Sequence, residues 1–285
     1  MGPKEEQAER SIVKKYRRQI WLPFLNAVKR YRLLSEGDRV AVCISGGKDS
    51  TLTAMCMRRL QKYSDFPFHV EYVVMDPGYS PENRRLILEN AGLLGLPVHV
   101  FDTKIFDIVA GTDRTPCYLC AKMRRGCLYK FAAELGCNKI ALGHHFDDVI
   151  ETILLSMLYG AEVRTMMPKL CSTNHPGMEL IRPLYLVRER DVVAWRDYNG
   201  LRFLRCACRF TENCAREGSG TVSKRQEVKA LLQTLRRTDP NIDKNIFHSV
   251  ANVNLEAVTG YRDSLGRHSF LDFYGVPGGE AGTDA

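Results

Sequence analysis

Apolar positions along this chain follow two rhythms. Near the start, Ile12, Val13, Tyr16, Ile20, Leu22, Phe24, Leu25, Val28 and Leu33 recur at roughly helical spacing among many Lys and Arg. That spacing predicts one amphipathic helix over 5–34, which Pro23 is expected to kink or divide. Its basic face (Lys14, Lys15, Arg17, Arg18, Lys29, Arg30) reads first as solvated surface and second as a surface for phosphates. After Gly37-Asp38 short apolar runs alternate with helical patterns. Segments 40–44, 69–75, 98–102 and 139–142 read as strands, and 49–63, 81–94, 118–135 and 147–159 as helices. This alternation predicts an α/β fold, a doubly wound and mostly parallel sheet with helices on both faces. Ligands of such sheets bind beyond the carboxyl ends of the strands. Segment 161–183, with Pro168, Pro176 and Gly177, reads as irregular. Helices are predicted over 188–199, 223–237 and 244–259, with a disordered tail from about 275. The organisation expected is a basic helical segment (1–35), an α/β domain (36–205), a cysteine-containing loop with C-terminal helices (206–274) and the tail (275–285).

Each chemical motif falls just after a strand or at a helix start. Ser45-Gly46-Gly47-Lys48-Asp49-Ser50 follows the first strand. Two glycines allow close backbone approach to an oxyanion, and the next helix start favours phosphate. Lys48 adds positive charge. Asp49 would repel phosphate unless a cation bridges the two, which implies Mg²⁺. Cys117 and Cys120 have the C-x-x-C spacing at a helix start, suited to one metal or to a redox pair. Lys122, Arg124 and Arg125 follow and suit anionic RNA. After the fourth strand come Gly143, His144 and His145, and Asp147 and Asp148 open the next helix. Those carboxylates read either as caps or as ligands and acid–base groups. Cys206, Cys208 and Cys214 crowd one short stretch without zinc-ribbon spacing. Cys127 reads as core, and Cys43, Cys56, Cys137 and Cys171 as packing.

Bulk numbers narrow the class. The 285 residues carry 41 Lys+Arg against 33 Asp+Glu, a net charge of +8 that suits a polyanionic partner. Ten cysteines in a chain with no secretory leader argue for metal ligands or reactive thiols and against a disulfide scaffold. No apolar run is long enough for a bilayer, and the expected location is the cytoplasm.

S-G-G-K-D-S resembles the signature of the PP-loop, or N-type, ATP pyrophosphatases, of the HUP-like α/β type. With C-x-x-C-x-x-x-R-R-G and A-L-G-H-H-x-D-D-x-x-x-T, the chain resembles the TtcA group, the tRNA cytidine 2-thiolation enzymes. The stretches 166–170 and 181–184 are similar to that group as well. The likeness runs from about residue 30 to 210. It implies cleavage of ATP between the α- and β-phosphates, adenylation of a cytosine oxygen, and replacement of AMP by sulfur. It implies ATP at Ser45, Gly46, Gly47, Lys48, Asp49, Ser50, Gly143 and His144, with Lys48, Asp49, Asp147 and Asp148 serving the catalysis. It further implies Mg²⁺, a [4Fe–4S] cluster on three cysteines, tRNA as substrate, a sulfur donor (a cysteine desulfurase or free sulfide) and a homodimer. Cys117 and Cys120 match two cluster ligands, and Cys206 best matches the third, with Cys208 the alternative. The chain departs from the group here, with C-x-C for C-x-x-C and an added stretch over 211–223. Two other classes stay open: a PP-loop sulfur transferase or amidating ligase for a small molecule, and a non-catalytic metal or redox sensor that binds nucleotide. Zinc is the alternative to the cluster.

Overall fold

A computed structural model describes residues 2–110, 116–204, 223–272 and 274, with the side chains of 116–118 excepted. The N-terminal segment is two helices, not one. Helix α1 (Pro3–Val13) passes through a π-helical stretch (Arg17–Trp21) into α2 (Leu22–Arg30). The division precedes Pro23. Proline has no N–H to give the preceding turn, and the wider i→i+5 pattern absorbs the mismatch, as in Leu22 N–H to Arg17 C=O.

The sheet is built from β1 (Arg39–Cys43), β2 (His69–Asp76), β3 (Val98–Asp102), β4 (Lys139–Ala141), β5 (Lys169–Cys171) and β6 (Glu179–Ile181). Its order is β3-β2-β1-β4-β6-β5. Every neighbouring pair is parallel except the β5–β6 hairpin at the edge. The expected mostly parallel sheet is therefore present. Segment 161–183, expected to be irregular, contributes the last two strands. Each is three residues long and sits among the Pro168, Pro176 and Gly177 that pointed to irregular structure.

Strand β1 explains the two-layer core. Val40 and Val42 pack into one apolar cluster, and Ala41 and Cys43 into another on the opposite face. The first cluster takes in α1, α2, α3 (Lys48–Tyr63), α4 (Pro81–Leu93) and α5 (Ile105–Ala110). The second lies under α6 (Pro116–Glu134), through Tyr129 and Ala132. A third joins α7 (Phe146–Gly160) to α9 (Lys224–Thr238) and α10 (Ile242–Ser249). The predicted helix 244–259 ends at Ser249, and a single 3-10 turn (Leu255–Ala257) follows. A hairpin, β7 (Gly260–Arg262) with β8 (Arg267–Ser269), was not foreseen. The tail from 275 and the segment 205–222 lie outside the described residues. Among those described, no helix is long and apolar enough to cross a membrane.

Helix α8 (Glu189–Tyr198) is fastened to the N-terminal segment. Trp195 is fully buried and its indole N–H donates to Ala8 C=O; Tyr16 O–H donates to Ala194 C=O at 2.8 Å. Asn199 donates to Ser11 Oγ at 3.1 Å.

At the lower end of the sheet, Lys139 is 3% exposed, with Nζ 2.9 Å from Asp38 and 2.8 Å from Glu179, and it donates to Leu33 C=O. Burial alone would lower its pKa, but the two carboxylates outweigh burial and raise it. Lys139→Met leaves Asp38 buried without its cation. The expected loss is about 3–5 kcal/mol of stability, read from the urea midpoint at unchanged slope; a loss under about 1 kcal/mol would show the pair to be dispensable.

Candidate active site

The chain runs from β1 outward to β2 and β3, then returns to place β4 on the other side of β1. The sheet therefore has its switch point between β1 and β4, where a crevice opens beyond the strand ends. A cavity of about 400 Å³ lies there. Its walls include Ser45, Asp49 and Ser50 after β1, Gly143, His144 and Asp148 after β4, and Arg124 and Arg125 on α6.

The loop after β1 is closed on itself. Ser45 N–H donates to Ser50 Oγ at 3.1 Å, and Ser50 Oγ donates to Gly47 C=O at 3.1 Å. Gly46 has φ +81°, a left-handed conformation that favours glycine, and a Cβ there would lie 2.7 Å from Ile87 Cγ1. Gly47 caps α3 with no side-chain hydrogen bond. The helix thus offers first-turn N–H groups and its positive end to an anion. Gly143 is small for another reason. A Cβ there would lie 2.7 Å from Ser50 N and 2.8 Å from Asp49 C. The turn after β4 rests directly on the backbone that holds the loop.

Charge in the site is concentrated. Lys48 Nζ lies 3.1 Å from Asp49 Oδ2 and 3.2 Å from Glu189 Oε1. Burial pulls its pKa down, but these carboxylates reverse the shift and raise it, so the ammonium stays charged. Carboxylate oxygens thus hold the ammonium that a phosphate would take. Asp49 Oδ1 is buried and has no hydrogen-bond partner among the described residues. His145 Nε2 lies 3.7 Å from this oxygen. An unsatisfied buried carboxylate oxygen beside a phosphate loop fits a hard cation such as Mg²⁺.

The two aspartates that open α7 have separated duties. Asp148 completes a capping box with His145: its Oδ2 accepts the His145 N–H, and its own N–H donates to His145 Nδ1. It lines the cavity, and its other oxygen pairs with Arg225. Asp147 is not among the lining residues. It accepts Glu189 N–H at 2.7 Å and meets Arg188 and Arg236 at 3.3 and 2.8 Å. Burial pushes its pKa up, but the Glu189 N–H and the guanidiniums outweigh that and hold it below the usual carboxylate range. Asp148 therefore faces the cavity, while Asp147 is turned toward Arg188 and Arg236.

His144 is held neutral at pH 7, because burial, with Arg182 nearby, pushes its pKa down to about 4. Its Nδ1 is buried without a partner among the described residues, which leaves a hydrogen-bonding position for a substrate atom. Glu189, Arg225 and Lys229 were not anticipated. Lys229 lies 3.5 Å from Glu151 and 3.6 Å from Glu189, so α9 closes over the start of α7. No local motif marks these residues, since only folding brings 189, 225 and 229 beside 48 and 148.

Cys120 is 7% exposed and belongs to the main core cluster, on the first turns of α6 with Cys117. The Cys117 side chain and all of Cys206, Cys208 and Cys214 lie outside the described residues. Cys127 is half-buried against the same core. Cys43, Cys56 and Cys137 are buried, and burial raises each thiol, Cys43 to about 12, as packing thiols require. Cys171, expected to pack, is exposed on the edge strand β5. Lys122 is exposed, while Arg124 and Arg125 reach the cavity.

A parallel sheet with a glycine-rich anion loop at its switch point defines a nucleotide-binding α/β protein. Residues 22–216 match the family model described as the PP-loop domain. The chain is 35% identical to the tRNA-cytidine(32) 2-sulfurtransferase of Photobacterium profundum, over 96% of this chain and 85% of that one. It is 34% identical to the same-named enzyme of Alcanivorax borkumensis, over 89% and 87% of the two chains. The chain belongs to this family of PP-loop sulfurtransferases. Its fold is similar to that of the U34-tRNA thiolase NcsA from Methanococcus maripaludis, solved with its [4Fe–4S] cluster. The TM-score is 0.63 at 20% identity, covering 81% of this chain and 76% of that one.

Gly143→Ala forces the β4 turn away from Ser50. Overpacking of this kind costs about 1–3 kcal/mol, and displacement of the loop should weaken ATP binding at least tenfold, roughly 1.4 kcal/mol. Calorimetric titration with ATP checks this; unchanged affinity would mean that the two backbones can part without disturbing the loop.

Proposed function

We propose that the protein uses ATP to adenylate a cytosine oxygen of tRNA and then replaces AMP with sulfur, giving a 2-thiocytidine. The observation that carries this reading is a single backbone contact. Leu204 N–H donates to Gly46 C=O at 3.2 Å, in the phosphate loop itself. Leu204, two residues before Cys206, is thereby tied to the phosphate loop. Helix α6, with Cys117 and Cys120 on its first turns, lends Arg124 and Arg125 to the same cavity. On this reading ATP activation and cysteine chemistry share one rim. The names of the relatives support tRNA as the substrate.

The geometry supports the following roles. Gly46, Gly47 and the start of α3 hold the triphosphate, and Lys48 exchanges its carboxylate partners for phosphate oxygens. Asp49, with Asp148, would hold Mg²⁺, which neutralises charge on the departing pyrophosphate. The cytosine oxygen attacks the α-phosphorus and the α–β phosphoanhydride bond breaks, releasing pyrophosphate. A C2–S bond then forms as the C2–O bond to AMP breaks. Cys117, Cys120 and Cys206 or Cys208 would hold a [4Fe–4S] cluster, which supplies one iron free of protein ligands for sulfur. His144 hydrogen-bonds a substrate atom, and Arg124 and Arg125 meet RNA phosphates. Sulfide or a cysteine desulfurase supplies the sulfur, a second copy of the chain is the expected partner, and a tRNA substrate implies the cytoplasm.

Anaerobically reconstituted protein, ATP, Mg²⁺, sulfide and unmodified tRNA test the scheme. The wild type should yield AMP, pyrophosphate and thiocytidine in nuclease digests. Asp49→Asn should lower pyrophosphate release by about 10²–10³-fold, the usual cost of a lost electrostatic group. Cys120→Ser should lose thiocytidine and bound iron. Formation of ADP and phosphate, or of tRNA without a thionucleoside, would sink the proposal.

A further inference from the structure

A second cavity, of about 950 Å³, lies far from this site. It runs between the N-terminal helices and the last turn of α3. Its floor is apolar, with Trp21, Leu25, Val28, Leu60 and Phe66 among the walls. Cations crowd its rim: Lys14, Arg17, Lys29 and Arg32, with Arg59 behind them and Asp65 the one carboxylate among the lining residues. The first four are exposed and form no ion pair among the described residues. Arg59 differs, since it pairs with Glu9 at 2.9 Å. Its guanidinium also stacks 3.7 Å from the ring centroid of Tyr63. Tyr63 is 56% exposed at the mouth of the groove.

Four exposed cations around one groove repel each other, and an anion is what relieves them. The ring of Tyr63, with the Arg59 guanidinium 3.7 Å and Lys62 Nζ 5.4 Å from its centroid, adds an aromatic surface to this cationic groove. Phosphate-binding cations beside an aromatic platform and an apolar floor match the way proteins hold unstacked nucleotides. Helix α3 runs 16 residues from the phosphate loop to this groove, about 24 Å at 1.5 Å per residue. A substrate larger than the reacting base is needed to touch both ends.

We propose that this groove is a second RNA-binding site, which takes an unstacked nucleotide of the tRNA and its flanking phosphates at a distance from the thiolated base. The site rests on the tRNA reading given above. It gives the N-terminal basic residues a function beyond solubility. Lys14, Arg17 and Lys29, together with Arg32 from the following turn, face one groove, whereas Lys15 stacks on Tyr198 at 3.7 Å.

The test uses the full chain and the triple variant Lys14→Ala/Lys29→Ala/Arg32→Ala, with binding to whole tRNA measured across a salt series. Exposed substitutions should leave the thermal midpoint unchanged. Affinity should fall at least tenfold near 0.15 M salt, and the slope of log K against log salt should shrink by roughly 2–3, one step per lost phosphate contact. Tyr63→Leu should also weaken binding, while Tyr63→Phe, which keeps the stacking face, should not. AMP formation from ATP with a short stem-loop that carries only the target base should match the wild type, because the machinery at Ser45 to Ser50 is untouched. Wild-type affinity and slope in the triple variant, beside a wild type that thiolates tRNA, overturn the groove alone. Loss of binding to anionic vesicles with tRNA binding intact overturns it in favour of a lipid surface. A wild type that neither binds nor thiolates tRNA overturns the tRNA reading, and this inference with it.

Discussion

At Gly143 two backbones meet so closely that a methyl group would lie 2.7 Å from the nitrogen of Ser50. The turn after β4 and the start of α3 are thereby locked in one relative position. Everything in the site depends on that contact. It sets the phosphate loop beside His144, His145 and Asp148, and it places the positive end of α3 in the crevice between β1 and β4. A strand order that reverses at β1 creates the crevice, but the contact sets its width.

Around this junction the charges are arranged as a relay of partners. Glu189 and Asp49 hold Lys48; Asp147 holds Arg188 and Arg236; Arg225 reaches Asp148 and Glu151. Arg236 and Arg188 both also pair with Asp243 on α10. These pairs bind α8, α9 and α10 to the nucleotide site. The C-terminal helices, where the sequence likeness is weakest, are thus part of the wall around the reaction centre. Buried ion pairs are weak sources of stability, and here their use is to orient. Asp49 Oδ1 and His144 Nδ1 are exceptions within this network, polar atoms without a hydrogen-bond partner among the described residues.

Much of the fold was legible along the chain. Strands β1 to β4 were each placed within a few residues, although β4 is only Lys139–Ala141, because it lies between a helical pattern and the Gly143 turn. The failures have physical causes. The π-helical stretch before Pro23 replaces a continuous helix because the proline withholds a hydrogen bond. Strands β5 and β6 are three residues long and derive their stability from pairing with β4 and each other. The helix expected to reach 259 stops at Ser249, ten residues early, with no glycine or proline at the boundary to announce it.

The sequence by itself determined the loop chemistry. Ser45 to Ser50 form an anion loop because glycines after a buried strand and before a helix leave the backbone open to phosphate. Spacing likewise put Cys117 and Cys120 on one helix and Asp147 and Asp148 at the start of another. Only the tertiary structure decided between neighbours. Asp147 and Asp148 are adjacent and chemically identical, yet a helix turns successive residues by about 100°. One carboxylate therefore faces the cavity, and the other faces Arg188 and Arg236. The same holds for Glu189, Arg225 and Lys229, brought beside Lys48 and Asp148 from segments far apart in the chain, and for the N-terminal cations, which face one groove only because α3 supplies its opposite wall.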